Sequence, residues 1–396
     1  MTRLSLRQRL LMGVTLFSMF FGAGNLIFPP FTGYRAGSDA VPAFLGLIST
    51  AVLFPVLGII ATARAGGMDG LCRKVHPQFS KWFTLVIYLC IGPLLAIPRT
   101  ASMAFSMMSF ATAPAQSISL GPISAQQILA VVFSVVFFAA SRFFAQRPSH
   151  LKDILGKILT PILLLLVLVL FSAGMVLLPA ETGAPQPPYA DAPFAAGFVE
   201  GYNTMDALAA MVFGILISVN IQDFGLQEEK QLRRETGISG LLAGGVLILV
   251  YGMLAVLGAR ASAVLPEASD GSVVLSGLCS LFFGNVGAAL LAAIFLVACF
   301  NVCTGLLSSC ASYFSKEFPR LSFMAWLNVF TVSGCVISVF GLGFILQISV
   351  PILTLIYPVA LTIIVLNLFP FAFLEKPWVH RISVIAAFAY SVISML

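Results

Sequence analysis

The chain has 396 residues, of which 59% are hydrophobic and only 9% are charged, and its mean hydropathy is +1.03. A soluble domain carries about 25% charged residues, because it must cover a large surface that faces water. The composition therefore excludes a water-soluble globular protein and predicts an all-α polytopic membrane protein.

The N-terminus has the layout of a secretory signal. Arg3, Arg7 and Arg9 precede an apolar run that ends in Gly22-Ala23-Gly24, and this combination is typical of a cleaved leader. The apolar pattern resumes at Leu26, however, and the later segments are also of membrane length. We therefore expect this region to form an uncleaved first transmembrane span.

Hydropathy runs and the polar breaks between them predict eleven spans in one transmembrane domain over residues 1–396. A membrane helix needs about 20 apolar residues. The predicted spans are at about 10–34, 40–63, 82–110, 126–145, 153–178, 194–222, 237–259, 280–313, 321–342, 344–371 and 379–396. Because the last run ends with the chain and has no polar tail, we expect eleven or twelve helices.

The positive charges predict the orientation. Of the 21 Lys and Arg residues, Arg99 falls inside a span, and the alternate loops on one side hold only Arg35 and Arg260. The positive-inside rule places the other side, which carries the N-terminus, in the cytoplasm. The charges that give the net +6 sit in short loops rather than on one basic face, so they do not indicate nucleic-acid binding.

The cysteines and histidines predict neither a metal centre nor an enzyme. The seven cysteines lie mostly in apolar runs without a CxxC motif, and Cys299 and Cys303, at helical spacing, have no histidine nearby. The three histidines (76, 150 and 380) fall in predicted cytoplasmic loops, and no HExxH or GxSxG motif stands in a span. We therefore interpret the thiols as small buried hydrophobes and expect no cofactor.

Two predicted spans are interrupted near the middle, span 1 at Gly22-Ala23-Gly24-Asn25 and span 6 at Gly201-Tyr202-Asn203-Thr204. Five helices form an odd-numbered unit, so a second unit starts from the opposite side and spans 1 and 6 correspond. The two repeats would cover about 8–178 and 193–371. Matched interruptions of this kind indicate a transporter site. The alternative is that the glycines form helix-packing faces.

The free backbone groups at such breaks suit a zwitterion together with an inorganic ion. Half-helices expose amide donors at their N-terminal ends, which attract a carboxylate, and carbonyls at their C-terminal ends, which attract a cation or an ammonium. Gly22 and Gly24 allow a ligand to approach the backbone closely. The candidate substrate-binding residues are Gly22, Ala23, Gly24, Asn25, Tyr202, Asn203, Thr204 and Asp206.

Three stretches carry a family resemblance: FGAGNLIFPP at 21–30, IPRTA at 97–101 and GYNTMDALA at 201–209. The chain resembles the bacterial branched-chain amino acid:cation symporters along its whole length. The resemblance implies Na⁺- or H⁺-driven uptake of leucine, isoleucine and valine across the inner membrane. It also implies the five-plus-five inverted-repeat fold of the leucine-transporter class, with broken helices 1 and 6. The apolar side chains expected near the substrate are Phe20, Phe21, Leu208 and Phe213.

Two other functions are alternatives to branched-chain uptake. One is a symporter for another small apolar amino acid, because the breaks do not specify the substrate's side chain. The other is a channel, which would need a continuous polar pore lined by charged or carbonyl rings. Three intramembrane charges and two local breaks fit one enclosed site better than such a pore.

The resemblance also implies a cation site between helices 1 and 8. The carbonyls of Ser18 and Phe21 would face the ion there, and Asn301 or Thr304 would add a hard oxygen of the kind that Na⁺ prefers. Family members have adjacent hydroxyl residues where this chain has Asn301 and Val302, so the donor set departs from the family pattern. Hydrogen bonding between helices is the alternative role of these side chains.

Three ionisable residues, Arg99, Glu200 and Asp206, lie inside predicted spans, where charges are costly and seek partners. Arg99 lies about 16 Å below the outer boundary, Asp206 about 18 Å and Glu200 about 9 Å, at 1.5 Å per residue. The matched depths predict that Arg99 pairs with Asp206 as a gate, directly or through water, with Glu200 as the alternative partner. Asp206 has two other interpretations: a capping-box residue behind Asn203, or a ligand of the substrate ammonium.

Overall fold

The computed structural model of the protein describes residues 4–109, 119–120, 123–147, 152–265, 267–369 and 376–393. Within these ranges the chain is helical apart from two short strands, Ser119–Leu120 and Ile123–Ser124, which pair antiparallel. Several predictions lie outside the described residues: those for Arg3 and His150, and those for the ends of the third, tenth and last spans at 110, 370–371 and 394–396.

The described ranges contain seventeen α-helices. They are α1 Leu6–Phe20, α2 Ala23–Ala36, α3 Ala40–Ile48, α4 Phe54–Ala65, α5 Met68–Arg73, α6 Pro77–Leu89, α7 Ala96–Ser109, α8 Ala125–Ala145, α9 Thr160–Leu177, α10 Pro193–Glu200, α11 Asp206–Gln222, α12 Glu229–Ala261, α13 Gly271–Phe283, α14 Asn285–Glu317, α15 Phe323–Ser338, α16 Leu342–Leu368 and α17 Pro377–Ile393. Short 3-10 or π-helical turns join several of them, at Gly37–Asp39, Ser49–Leu53, Cys90–Leu94, Lys152–Leu159 and Gly201–Thr204.

Length and composition qualify seven helical runs of the described chain to cross a membrane. They are Ala23–Ala65, Pro77–Met108, Ala125–Ala145, Leu155–Leu177, Glu229–Ala261, Asn285–Glu317 and Leu342–Leu368. The bent pair α10–α11 brings the total to as many as eight, and α13, α15 and α17 are shorter apolar helices. Each predicted span overlaps one of these helices or bent pairs, and the total of eleven or twelve stays a prediction.

One predicted span needs correction at its start. The span at about 280–313 was expected to begin within an unbroken run, but α13 ends at Phe283 and α14 begins at Asn285. Gly284 separates the two helices with a φ of 53°, a conformation that glycine adopts without steric cost. The apolar run thus contains two helices because one glycine turns the backbone.

Several helices pack closely because a glycine of one helix lies against the backbone of the next. A side chain at Gly33 would meet the carbonyl of Ala255, and one at Gly258 would meet the carbonyl of Pro30, so α2 and α12 approach each other closely. Gly197 on α10 likewise lies against the backbone of α3. Small residues at such contacts are the usual way in which membrane helices pack. Large apolar side chains stay exposed on outer helices, as at Val136, Val176 and Ile385, which fits a surface that faces lipid.

Candidate functional site

The first helix interruption is two residues long. Helix α1 ends at Phe20 and α2 begins at Ala23, with Gly22 in an extended conformation (φ −112°, ψ −162°). The Gly22 N–H donates to Asn25 Oδ1 at 3.0 Å, so it does not continue the ladder to the carbonyl of Ser18. The break therefore lies at residues 21–22 rather than at the predicted 22–25. Helix α2 starts earlier than predicted because Asn25 caps its first turn from within the helix.

The second interruption lies between α10 and α11, which meet at an angle of 45°. A 3-10 turn over Gly201–Thr204 follows α10, and Met205 then takes a left-handed conformation with φ 66°. Asp206 is consequently the first residue of α11, and its N–H donates to Thr204 Oγ1 at 3.5 Å. The capping box predicted from Asn203 to Asp206 is wrong, because the left-handed Met205 takes the N-cap position and the helix starts two residues later than the spacing implies.

The two interruptions meet at a buried hydrogen-bonded cluster. The side-chain amide of Asn25 donates to Asp206 Oδ2 at 2.5 Å and also donates to the Tyr251 hydroxyl. The Tyr251 hydroxyl in turn donates to Asp206 Oδ2 at 3.1 Å. All three side chains are at most 2% exposed. The cluster ties α2, α11 and α12 together at the point where two helices are broken.

Two tyrosines at this site escaped the sequence analysis. Tyr251 lies in the middle of α12, and the Tyr357 hydroxyl on α16 accepts a hydrogen bond from the Ala207 N–H at 3.3 Å. A buried tyrosine hydroxyl needs a polar partner, so a tyrosine in the middle of an apolar span is a usable signal. The rings of Tyr202 and Tyr357 contact each other in a tilted arrangement, with centroids 4.7 Å apart.

A cavity of about 40 Å³ lies between the two interruptions, α7 and α14. Its polar wall contains Gly22, Ala23, Gly24, Asn25, Thr204 and Asp206 from the predicted set, together with Arg99 and Thr100. Its apolar wall includes Met19, Phe20, Ala209, Phe213, Val302 and Leu306. Tyr202, Asn203 and Glu200 are not part of this wall, and neither are Phe21 and Leu208, which were expected near the substrate.

Arg99 faces the cavity from α7. Its side chain is 9% exposed and its Nη1 donates to the carbonyl of Asn203 at 3.3 Å. In the described part of the chain, no carboxylate lies within 4.0 Å of the guanidinium. Arg99 and Asp206 thus line one cavity without the predicted direct ion pair, and their pairing through water stays a prediction. Glu200 is partly buried at the end of α10.

Of the residues predicted for a coupling ion, Ser18 lies in α1 and Phe21 at the first interruption, and Asn301 and Thr304 lie on α14. Val302 on α14 lies against Gly22, so α14 contacts the interruption at the residue next to Asn301. Asn301 is fully buried, and neither atom of its amide has a hydrogen-bond partner among the described residues. The hydroxyl of Ser18 is likewise buried without a partner there, whereas Thr304 Oγ1 donates to the carbonyl of Phe300 at 2.7 Å.

The loop between α9 and α10 covers the far end of α2. The N–H of Gln186 donates to the carbonyl of Arg35 at 2.8 Å, and the hydroxyls of Tyr189 and Thr32 lie 3.5 Å apart. Tyr189 is 3% exposed, and this burial raises the pKa of its hydroxyl. The loop therefore packs over the end of α2 that lies away from the helix interruption.

The comparisons with known proteins agree along the chain. The family described as "Branched-chain amino acid transport protein" matches residues 5–396. Branched-chain amino acid permease BraB of Bacillus subtilis is 36% identical over 393 residues, which cover 98% of this chain and 86% of that protein. The branched-chain amino acid transport system 2 carrier protein of Pseudomonas aeruginosa is 34% identical over 397 residues, 100% of this chain and 88% of that protein.

Two solved structures share the fold at low sequence identity. MhsT in complex with L-phenylalanine has a TM-score of 0.63 at 16% identity, covering 97% of this chain and 98% of that chain. The nucleobase-cation-symport-1 transporter Mhp1 has a TM-score of 0.60 at 12% identity, covering 98% and 91%. Since the family match extends over nearly the whole chain, the protein belongs to the branched-chain amino acid transport protein family, whose members are transporters and not enzymes.

Proposed function

We propose that the protein is a secondary active transporter that couples the inward movement of Na⁺ or H⁺ to uptake of leucine, isoleucine and valine across the bacterial inner membrane. The observation that carries this proposal is the cavity at which both helix interruptions and the cluster of Asn25, Asp206 and Tyr251 meet. Such broken helices supply free backbone donors and acceptors within the membrane. The relatives named as branched-chain permeases and carriers point to the same substrates.

The proposed architecture is a five-plus-five inverted repeat of eleven or twelve membrane helices with a cytoplasmic N-terminus. In it, α1–α2 form broken helix 1 and α10–α11 form broken helix 6. The shared fold with MhsT and Mhp1 supports this arrangement, and so do the two breaks at corresponding places in the chain. The excess of positive charge in the loops on the N-terminal side supports the orientation.

The proposed substrate site uses the two breaks for the charged groups and the cavity's apolar wall for the side chain. Ala23 and Gly24 offer the first-turn amides of α2 to a carboxylate, and Gly22 lets the ligand approach the backbone closely. The edge-to-face pair of Phe20 and Phe213, with ring centroids 5.6 Å apart, offers an apolar surface. A ligand pocket typically measures about 300–1,000 Å³, so the cavity of about 40 Å³ must widen before an amino acid enters.

The proposed coupling-ion site consists of the carbonyls of Ser18 and Phe21 with the side chains of Asn301 and Thr304. The buried amide of Asn301 supports it, because polar groups buried without a partner are rare in folded proteins. The carbonyl of Ser18 supports it as well, since the N–H that would normally bind it donates to Asn25 instead. Both Na⁺ and H⁺ are compatible with this set.

The proposed gate consists of Arg99 and Asp206, with Glu200 further toward the outer end of helix 6. Both gate charges line the cavity and make no direct ion pair, so each is available to attract the other while a substrate passes. Opposite charges at such depth in a membrane stabilise each other because water is scarce there. Closure of the site around a substrate would shorten the separation and strengthen the attraction.

The test is uptake of radiolabelled leucine by the purified protein in liposomes, with an imposed Na⁺ gradient or an imposed pH gradient. We expect saturable uptake that one of the gradients drives. Leucine, isoleucine and valine should compete, because a hydrophobic pocket separates single methylenes by only about 1–3 kcal/mol. Lysine and glutamate should not compete. A flux that does not saturate would instead indicate a channel, and strong competition by charged amino acids would contradict the substrate assignment.

A further inference from the structure

We propose that Arg99 and Asp206 each hold one end of the substrate's charged head group, Arg99 the carboxylate and Asp206 the ammonium. This inference rests on the proposed function and adds which side chains recognise the zwitterion. The direct observation is that two buried opposite charges line one small cavity and do not touch each other. A group with a positive and a negative end, placed between them, satisfies both.

Asp206 is prepared to receive a cation that donates hydrogen bonds. Both side-chain donors of the cluster, the Asn25 amide and the Tyr251 hydroxyl, converge on its Oδ2. Neutral donors of this kind favour the ionised carboxylate without cancelling its charge. The orientation of the Asn25 amide is fixed because its Oδ1 accepts from the Gly22 N–H. The two donors thus offset part of the cost of burying a charge at Asp206, and they fix the position from which its carboxyl group faces the cavity.

An inorganic cation fits this position less well than an ammonium. Hard inorganic cations bind through the lone pairs of several oxygen atoms. Around Asp206, however, the Asn25 side chain turns its NH₂ group inward, and the Tyr251 hydroxyl directs its hydrogen to the carboxylate. A primary ammonium needs only acceptors and carries three donors of its own. The carboxylate of Asp206 is therefore suited to the substrate's amine, and the coupling ion belongs elsewhere.

Arg99 is prepared to receive a carboxylate. A guanidinium has five N–H donors. Among the described residues, the guanidinium of Arg99 makes one hydrogen bond, from Nη1 to the carbonyl of Asn203. Its Nη2 lies 3.3 Å from the position that a side chain at Gly24 would take. The guanidinium thus lies over the first turn of α2, where the helix also presents free N–H groups. Arginine binds carboxylates with two parallel hydrogen bonds, so both groups act on the same anionic end.

The charge pair makes a specific demand on the substrate. A molecule with only an ammonium leaves Arg99 without its anion, and a molecule with only a carboxylate leaves Asp206 without its cation. Either case leaves a buried charge unpaired, which is costly at this depth. We therefore expect the site to require both charges, whereas a site made of backbone dipoles alone would tolerate the loss of one more readily.

The experiment measures binding of radiolabelled leucine to the purified full-length protein, in competition with leucine, leucinol or 4-methylpentanoate. Leucinol keeps the ammonium and lacks the carboxylate, and 4-methylpentanoate has the reverse. The variants are Arg99→Gln and Asp206→Asn, with Arg73→Gln as the control because Arg73 is exposed and pairs with Asp69. We expect the wild type and the control to bind leucine and to reject both analogues.

Arg99→Gln should weaken leucine binding by about 10- to 100-fold, the range for a lost charge-assisted hydrogen bond. Its affinity for leucinol should stay the same or rise, so that the preference for leucine over leucinol falls. Asp206→Asn should lose its discrimination against 4-methylpentanoate in the same way. The assignment would be overturned if a monodisperse Arg99→Gln lost as much affinity for leucinol as for leucine. It would likewise be overturned if a monodisperse Asp206→Asn lost as much affinity for 4-methylpentanoate as for leucine.

Two further results keep the inference separate from the function on which it rests. A wild type that binds no leucine at all would contradict the proposed function itself. If Arg99→Gln does not fold, Arg99→Lys replaces it, since the charge stays and only the two-pronged geometry is lost. The leucine-to-leucinol preference should then fall in the same direction but less far. An unchanged preference in Arg99→Lys and an unchanged discrimination in Asp206→Asn would together refute the inference.

Discussion

Replacement of Tyr251 by phenylalanine tests the buried cluster with a minimal perturbation. The ring of Tyr251 is fully buried and lies 6.2 Å from that of Phe21, so the variant keeps the packing and removes only the hydroxyl. That hydroxyl donates to Asp206 at 3.1 Å and accepts from the Asn25 amide. A hydrogen bond to a charged group contributes about 1.5–3 kcal/mol. Leucine affinity should therefore fall by about 10- to 150-fold.

The assay is equilibrium binding of leucine to purified protein, with thermal unfolding measured in parallel. Tyr88→Phe is the matched control, because Tyr88 is also buried but stacks on Tyr313 at 3.9 Å, away from the cluster. We expect Tyr251→Phe to lose affinity while Tyr88→Phe does not. If a well-folded Tyr251→Phe protein binds leucine as tightly as the wild type, the cluster does not position Asp206 for the substrate, and the interpretation fails.

Three other substitutions test separate parts of the site. Gly24→Val should abolish uptake while the protein still inserts, because the new side chain would lie within 3.0–3.3 Å of neighbouring atoms of Phe28 and Arg99; normal leucine uptake would remove α2 from the site. Asn301→Ala should raise the Na⁺ concentration for half-maximal uptake, and an unchanged ion dependence would exclude it as a ligand. Glu235→Gln should lower the thermal unfolding temperature, because Glu235 is 2% exposed and accepts hydrogen bonds from Arg9 through both carboxylate oxygens at 2.6 Å; an unchanged unfolding temperature would contradict this.

Most of the polar residues that line the candidate site could be selected from the sequence because their signals are local. Gly22, Gly24 and Asn25 stand together within one apolar run, and Asp206 follows a second polar interruption. Such groups are conspicuous against lipid-facing sequence, since unsatisfied backbone and buried charge are tolerated only at enclosed sites. The structure brings these residues to one cavity, even though 181 positions separate Asn25 from Asp206.

Residues that depend on the rotation of a helix were harder to predict. Phe20 and Phe21 are adjacent in sequence, yet Phe20 lines the cavity while Phe21 turns away and stacks on Phe17 at 5.0 Å. The break after Phe20 sets that difference, and its position could not be fixed to one residue from glycine content. Tyr251 was missed for a related reason. Its partners lie on α2 and α11, and nothing local shows which face of α12 meets them.

The second break shows how one backbone angle overrides a spacing rule. The spacing from Asn203 to Asp206 suits a capping box, in which the acidic side chain folds back over its own helix. Met205 instead adopts a left-handed conformation, which non-glycine residues rarely take. Asp206 then starts α11 and reaches across to Asn25 rather than back along the chain. A rare conformation at a buried site is consistent with a functional constraint on that residue.

We propose that the site opens toward a second cavity. A second cavity, of about 300 Å³, is lined by Leu216 and Ser309, each three residues along the same helix from Phe213 and Leu306 in the first cavity. Three helical residues correspond to about 4.5 Å, so only a thin apolar layer separates the two spaces. The second cavity also reaches Lys316 near the end of α14, on the side that we propose is cytoplasmic.

For the proposed opening toward the N-terminal side, α1 is the helix whose movement would widen the cavity. The loop that carries Tyr189 covers the end of α2 that lies away from the N-terminus of α1. We therefore propose that the path from the first cavity to water runs through the second cavity, on the side of the N-terminus. There the ion pair of Arg9 with Glu235 fastens α1 to α12, and α1 ends at the break that forms the cavity wall. A movement of α1 would widen the cavity and disturb the Ser18 carbonyl at once. Release of the substrate and release of the ion would then follow from one motion, which is what coupled transport requires.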